Sequence, residues 1–205
     1  MPADESKSRL SESAYNSPYS RTGAPGPHPN VDPYALLRGR ALSTLEAMGF
    51  DPETMVERGV LWAEDQDPFG HVTQSQYMHF IGTCFHRVME SYDEFLTEKE
   101  YDDMIKARSV IPAVRKYNLD IRRQVQYPDS LIVAYRQDLI EPTSNSGSVT
   151  YMNAATGRPL DIRTLGGGWH KLYEGFTTKS HKAATLKAKW DNEHPKTRSS
   201  AQSKI

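Results

Sequence analysis

The stretch Trp62 to Tyr77, WAEDQDPFGHVTQSQY, concentrates side chains that can do chemistry. It carries carboxylates at Glu64, Asp65 and Asp67, then Pro68 and Gly70, then a helix start at Thr73. Pro68 disfavours the helical region for the residue before it, so Asp67 is held outside the helix. Gly70 is free to take a positive φ and reverse the chain. Thr73-x-x-Gln76 is a capping-box signature, which predicts the Thr73 side chain on the N–H of Gln76. That cap leaves the N–H groups of Gln74 and Ser75 without intrahelical acceptors. Such groups form an electropositive spot suited to a developing oxyanion. A carboxylate beside oxyanion donors is equipment for acyl transfer, by direct attack or by activating water. The plainer alternative is a loop that uses Asp, Pro and Gly for turn formation alone. Glu64 and Asp65 are expected to face solvent, or one of them to act on Asp67 through like-charge proximity.

The flanking elements must deliver this loop. Residues 58–65 alternate, with Val60, Trp62 and Glu64 on one face, and predict a strand. Gln74 to Phe95 predicts a long helix, because Tyr77, Ile81, Cys84, Phe85, Val88, Tyr92 and Phe95 recur at three- and four-residue steps. Upstream, Asp32-Pro33 opens a helix that packs Leu36, Leu37, Ala41, Leu45 and Met48 on the core and stops at Gly49. Downstream, residues 96–109 read as a charged loop. Leu119 to Gln126 has period two and predicts a strand, as do Leu131 to Leu139 and Ser148 to Met152. Turns are expected at Tyr127–Ser130 and Asn153–Pro159. Gly166 to Gly168 reads as a flexible loop, without the Lys-Ser/Thr of a phosphate loop. A weak helix begins near Tyr173.

The motif Asp65-x-Asp67-x-x-Gly70-His71-Val72, followed by Gln76-Tyr77, resembles the signature of hotdog-fold thioesterases of the 4-hydroxybenzoyl-CoA thioesterase type, in the thioesterase-like superfamily. The segment IRRQVQYPDSLIVAYR resembles the strand, Pro-Asp turn and strand that follow their helix. The resemblance covers roughly residues 58–175. It implies an α+β hotdog fold, with a curved antiparallel sheet wrapped around one long helix. It implies an acyl-CoA substrate, hydrolysed between the protomers of a homodimer or higher homo-oligomer. Asp67 is the implied nucleophile or general base, and the backbone N–H near Gln74 the implied polarising donor. Gly70, His71, Gln76 and Tyr77 are the implied substrate-binding positions. Two departures stand out. Gln76 occupies a position where the family often has Asn. Only nine residues, Ile140 to Ser148, link two predicted strands, where relatives place another full strand. At about 3.3 Å per residue they span a turn but not a turn plus a long strand. The expectation is therefore either a sheet one strand short or a chain that is a shortened version of its relatives. The alternative function is a non-catalytic hotdog protein that binds an acyl chain or a protein partner.

Composition sets the outer bounds. Residues 1–32 are rich in Ser, Pro, Gly and Asn and predict a disordered tail or a draped arm. Residues 33–57 form the helix and linker, 58–175 the hotdog domain, and 176–205 a weak helix with a basic polar tail. That tail holds seven Lys/Arg against two acids from Lys179 onward, a solvated face or a weak contact for anionic surfaces. The formal charge of −1 does not mark a nucleic-acid binder. No apolar run approaches the roughly 20 residues of a membrane span. One cysteine, Cys84, fits a reducing compartment, and a cytoplasmic location is expected. Arg9, Arg21 and the serines allow a mitochondrial presequence as the alternative, with Asp4 and Glu5 against it. No metal and no cofactor is expected. His79 and His86 lie roughly 10 Å apart along one helix, too far for one ion, and Cys84 falls on the apolar stripe. Lys116, Arg122 and Arg123 are candidates for CoA phosphates or plain surface ion pairs.

Overall fold

The computed structural model describes residues 8–19, 34–114, 119, 121–137 and 149–195. It is an α+β protein with antiparallel sheets and a long C-terminal helix. In chain order the elements are α1 (Ala35–Ala47), β1 (Val56–Gly59), α2 (Gln74–Glu90), α3 (Glu98–Ile105), β2 (Val110–Val114), β3 (Ser130–Val133), β4 (Val149–Asn153), β5 (Pro159–Leu160) and α4 (Gly168–Glu193). The strands form two sheets, β1–β3 and β2–β4–β5, all paired antiparallel. Pro112 sits on β2, at the edge of its sheet, where its missing N–H costs least.

The helix α2 serves both sheets. Its stripe of Phe80, Cys84, Arg87 and Val88 follows helical spacing. Near its N-terminus, Phe80 joins Val60 and Val72 in a small core, lined by Tyr77, Val125, Leu131 and Val133. Past its C-terminus the chain runs on as a 3-10 turn, Ser91–Glu94, so the predicted helix to Phe95 ends early. There Val88, Tyr92 and Leu96 enter a larger core with Tyr101, Met104, Val110, Tyr151, Ile162, Trp169 and Leu172.

Several expectations need correction. The strand predicted over 58–65 ends at Gly59. Leu61 to Asp65 instead curls into a turn, because the N–H of Asp65 returns to the carbonyl of Leu61 at 3.1 Å. Residues 121–126 form no strand; the Val125 carbonyl accepts from the N–H of Val72 at 2.9 Å, and its side chain packs on the small core. Of the predicted Leu131–Leu139 strand, residues 131–133 are paired, within β3, and 134–137 are not. The charged loop contains α3, capped by a true capping box between Thr97 and Glu100. The Gly166–Gly168 run is no loose loop. It starts α4, and Gly168 donates its N–H to Glu100 Oε1 at 3.0 Å. A Cβ at Gly168 would sit 2.8 Å from the Cα of Leu96, so glycine is what lets the two backbones meet. The weak helix from Tyr173 is the long α4.

At the other end, α1 stops at Gly49 (φ +83°) as expected. Leu36 and Leu37 are 72% and 66% exposed, however, and Leu42 is the buried residue of α1. Its apolar residues spread around the helix rather than forming one face. Asp32 and Pro33, Lys116, and the 140–148 connection lie outside the described residues. Residues 8–19 are an arm docked on the body. Arg9 donates its N–H to Asp93 at 2.7 Å, and its guanidinium lies 4.2 Å from the centre of the Tyr101 ring. The hydroxyl of Tyr15 bonds His86 Nδ1 at 2.6 Å. The carbonyl of Asn16 accepts from the N–H of Glu57 at 2.9 Å, on the side of β1 opposite β3. No helix among the described residues is long and apolar enough to cross a membrane.

Candidate active site

The loop between β1 and α2 hangs on its acids. Asp67 Oδ1 accepts from the N–H of Phe69 and from the N–H of His71, each at 2.9 Å. The N–H of Asp67 returns to the carbonyl of His71 at 2.8 Å, and the N–H of Gly70 to the carbonyl of Asp67 at 3.0 Å. Gly70 takes φ +80°, as its turn requires. Asp67, Gly70 and His71 are thus one tight turn, with Asp67 half-buried. Oδ1 is locked by two amides. Oδ1 thus fixes the carboxylate, and Oδ2 is without a hydrogen-bond partner among the described residues.

Beyond the turn, α2 begins at Gln74, but not through the predicted capping box. Thr73 makes no side-chain cap. Its hydroxyl meets that of Ser75 at 3.2 Å, and the N–H of Gln76 goes to the Thr73 carbonyl at 3.1 Å. The Gln76 side chain reaches the carbonyl of Glu64 at 3.2 Å and clasps the loop to the helix. The N–H groups of Gln74 and Ser75 find no acceptor among the described residues, as expected, although the cap that was to free them is absent. Tyr77 is half-buried in the small core, edge-on to Phe80 with centroids 6.3 Å apart. It packs beside the loop and stays partly exposed.

Asp65 overturns the expectation of a solvent-facing acid. It is 0% exposed. Its Oδ2 accepts from the N–H of Leu61 at 2.7 Å, and Oδ1 lies 3.5 Å from Arg58 Nη2. No spacing in the sequence distinguishes this acid from its neighbour Glu64, which is exposed. Around the loop, Trp62 is 68% and Phe69 82% exposed, and Leu61 and Tyr127 stand out beside them. Trp62 and Tyr127 touch edge to face, 5.8 Å between centroids, and Gln66 Oε1 holds the N–H of Tyr127 at 2.7 Å. Exposed apolar side chains therefore stand before, on and beside the turn that carries Asp67.

Comparison with known proteins brings no match: no family model, no curated protein sequence and no solved structure aligns with the chain. The site is read on its own geometry. Among the described residues no group of three His, Cys, Asp or Glu could hold a metal ion. A cavity of about 810 Å³ lies between the end of α1, the arm and α4, and none of the site residues lines it. Arg122 and Arg123 are exposed.

Proposed function

We propose that the chain is an acyl-CoA thioesterase of the hotdog type, acting as a homodimer. The observation that carries this reading is the split role of the Asp67 carboxylate: one oxygen held by two backbone N–H groups, the other unengaged. In the simplest course Asp67 is the general base. A water oxygen attacks the thioester carbonyl carbon while its proton passes to Asp67 Oδ2. The carbonyl oxygen takes the developing charge and leans on the N–H groups of Gln74 and Ser75. The C–S bond then breaks, and the CoA thiolate takes the proton back from Asp67 Oδ2. Direct attack by Oδ2 instead breaks the C–S bond, expels CoA thiolate and gives an acyl-aspartyl anhydride, which water hydrolyses to the same acid with return of the Asp67 carboxylate. The exposed Leu61, Trp62, Phe69 and Tyr127 offer apolar surface suited to an acyl group or to a second protomer.

A second reading keeps the fold and drops the chemistry: a hotdog protein that holds an acyl chain or a protein partner. A cavity of about 810 Å³ that lies away from Asp67 favours it. One assay separates the two. CoA release is followed from acyl-CoAs of increasing chain length and from an aromatic acyl-CoA. Wild type is expected to release CoA, and Asp67→Asn to be slower by about 100- to 10,000-fold. Equal rates remove Asp67 from the chemistry. Binding of acyl-CoA without release supports the second reading.

A further inference from the structure

Asp65 has no part in the chemistry above, yet it is the most deeply buried charged side chain described. With no exposed surface it cannot touch a substrate. Its bonds instead run to three neighbouring elements. The side chain takes the N–H of Leu61 in the turn after β1, at 2.7 Å. Its carbonyl takes the N–H of Thr73, the residue just before α2, at 2.9 Å. Its free oxygen, Oδ1, faces Arg58 on β1 at 3.5 Å and has no hydrogen bond. Arg58 in turn lies over the Phe80 ring of α2, 4.8 Å from its centre. A single backbone bridge, Gln66 to Val72, separates this knot from the Asp67 turn.

We propose that Asp65 and Arg58 are positioning residues for Asp67. The buried ion pair sets where the Asp67 turn stands relative to the first N–H groups of α2. The inference rests on the hydrolase reading for its consequence in rate. Its physical basis is independent of that reading. A buried carboxylate facing a single guanidinium holds its place only while both charges remain. Asp65→Asn keeps the shape and can still accept from Leu61, but removes the charge that Arg58 faces. A turn displaced by about 1 Å is enough to slow a positioned group by about 100-fold.

The test uses the full chain and four variants: Asp67→Asn, Asp65→Asn, Arg58→Met and Arg58→Lys. Steady-state hydrolysis supplies kcat and KM. The amide resonances of Phe69 and His71, which both bond Asp67 Oδ1, supply a readout that needs no activity. Circular dichroism on heating reports whether each variant is folded. Asp65→Asn and Arg58→Met are expected to lower kcat by about 100-fold with KM within about threefold, and to shift both resonances in a folded chain. Arg58→Lys is expected to restore much of what Arg58→Met loses. Wild-type kcat with unmoved resonances in Asp65→Asn overturns the proposal, while an impaired Asp67→Asn leaves the hydrolase reading standing. If wild type releases no CoA, the hydrolase reading fails and the resonances alone decide the positioning. If Asp65→Asn does not fold, Arg58→Lys decides: resonances shifted as far as in Arg58→Met show that charge pairing is not what holds the turn.

Discussion

Cys84 sits on the buried stripe of α2 and donates its thiol to the carbonyl of Thr54 at 3.4 Å. Burial pushes its pKa up to about 12, against a partial pull downward from the Arg87 charge. The thiolate is the reactive form, so this sulfur is inert in the folded chain. Iodoacetamide at pH 7.5 is expected to leave Cys84 unmodified in the native protein and to label it on unfolding, read as a mass shift. Labelling at the rate of a free thiol would show that α2 opens at this point. The expectation of a small core residue was legible, because Cys84 shares helical spacing with Val88. The fate of Asp65 was not. A carboxylate two positions before Asp67 has the same spacing whether it points at water or at Arg58, and direction is set by how β1 stops at Gly59. Asp67 itself was legible as a turn residue through Pro68 and Gly70.

At the level of elements, α3 and α4 share one carboxylate. Glu100 accepts from the N–H of Thr97 at 2.9 Å and its hydroxyl at 2.7 Å, and from the N–H of Gly168 at 3.0 Å. Partial burial raises its pKa, but the hydrogen bonds from Thr97 and Gly168 outweigh that and hold it below the ordinary glutamate value. A folded pKa below the unfolded one adds stability that is full above the unfolded value and is lost as pH falls through the folded value. Glu100→Ala is expected to lower Tm at pH 7 by about 2–6 °C, for a lost cap in a domain of this size. The gap between wild type and variant then narrows as the solution is acidified below the ordinary glutamate range. A gap that does not change with pH would deny the carboxylate this role. The Thr-x-x-Glu of this cap was readable at positions 97 and 100, but the mixed charges around it read as a loop. The second partner of Glu100 was beyond local reading, since 68 residues separate it from Gly168. The same limit hid β2, whose pairing is with β4 far along the chain.

Over the whole molecule, residues 8–19 take one of the two courses that composition left open, the draped arm rather than the disordered tail. The arm's Ser- and Pro-rich sequence lacks apolar payload, yet Arg9, Tyr15 and Asn16 dock through specific polar contacts. The arm also shelters a charge. Arg87 is buried, donates to the carbonyls of Tyr15 and Glu53 at 3.3 and 2.6 Å, and has its Nε unbonded. Deleting residues 1–19 removes one of those acceptors and bares the edge of β1. The shortened chain is expected to unfold at lower urea concentration and to form larger species in size-exclusion chromatography. Unchanged elution and midpoint would reduce the arm to a passive tail.

The larger core has a consequence for the chain while it is being made. Trp169 and Leu172 close a cluster whose first member, Val88, is synthesised much earlier. At about 5–20 residues per second, the ribosome leaves that cluster open for several seconds. During that interval Val88, Tyr92, Leu96 and Tyr101 lack the helix that covers them. Each nascent chain therefore passes through a stage in which its hydrophobic interior is presented to the cell's chaperones. A chain cut off before Gly168 lacks Trp169 and Leu172, and the rest of that cluster stays without their cover.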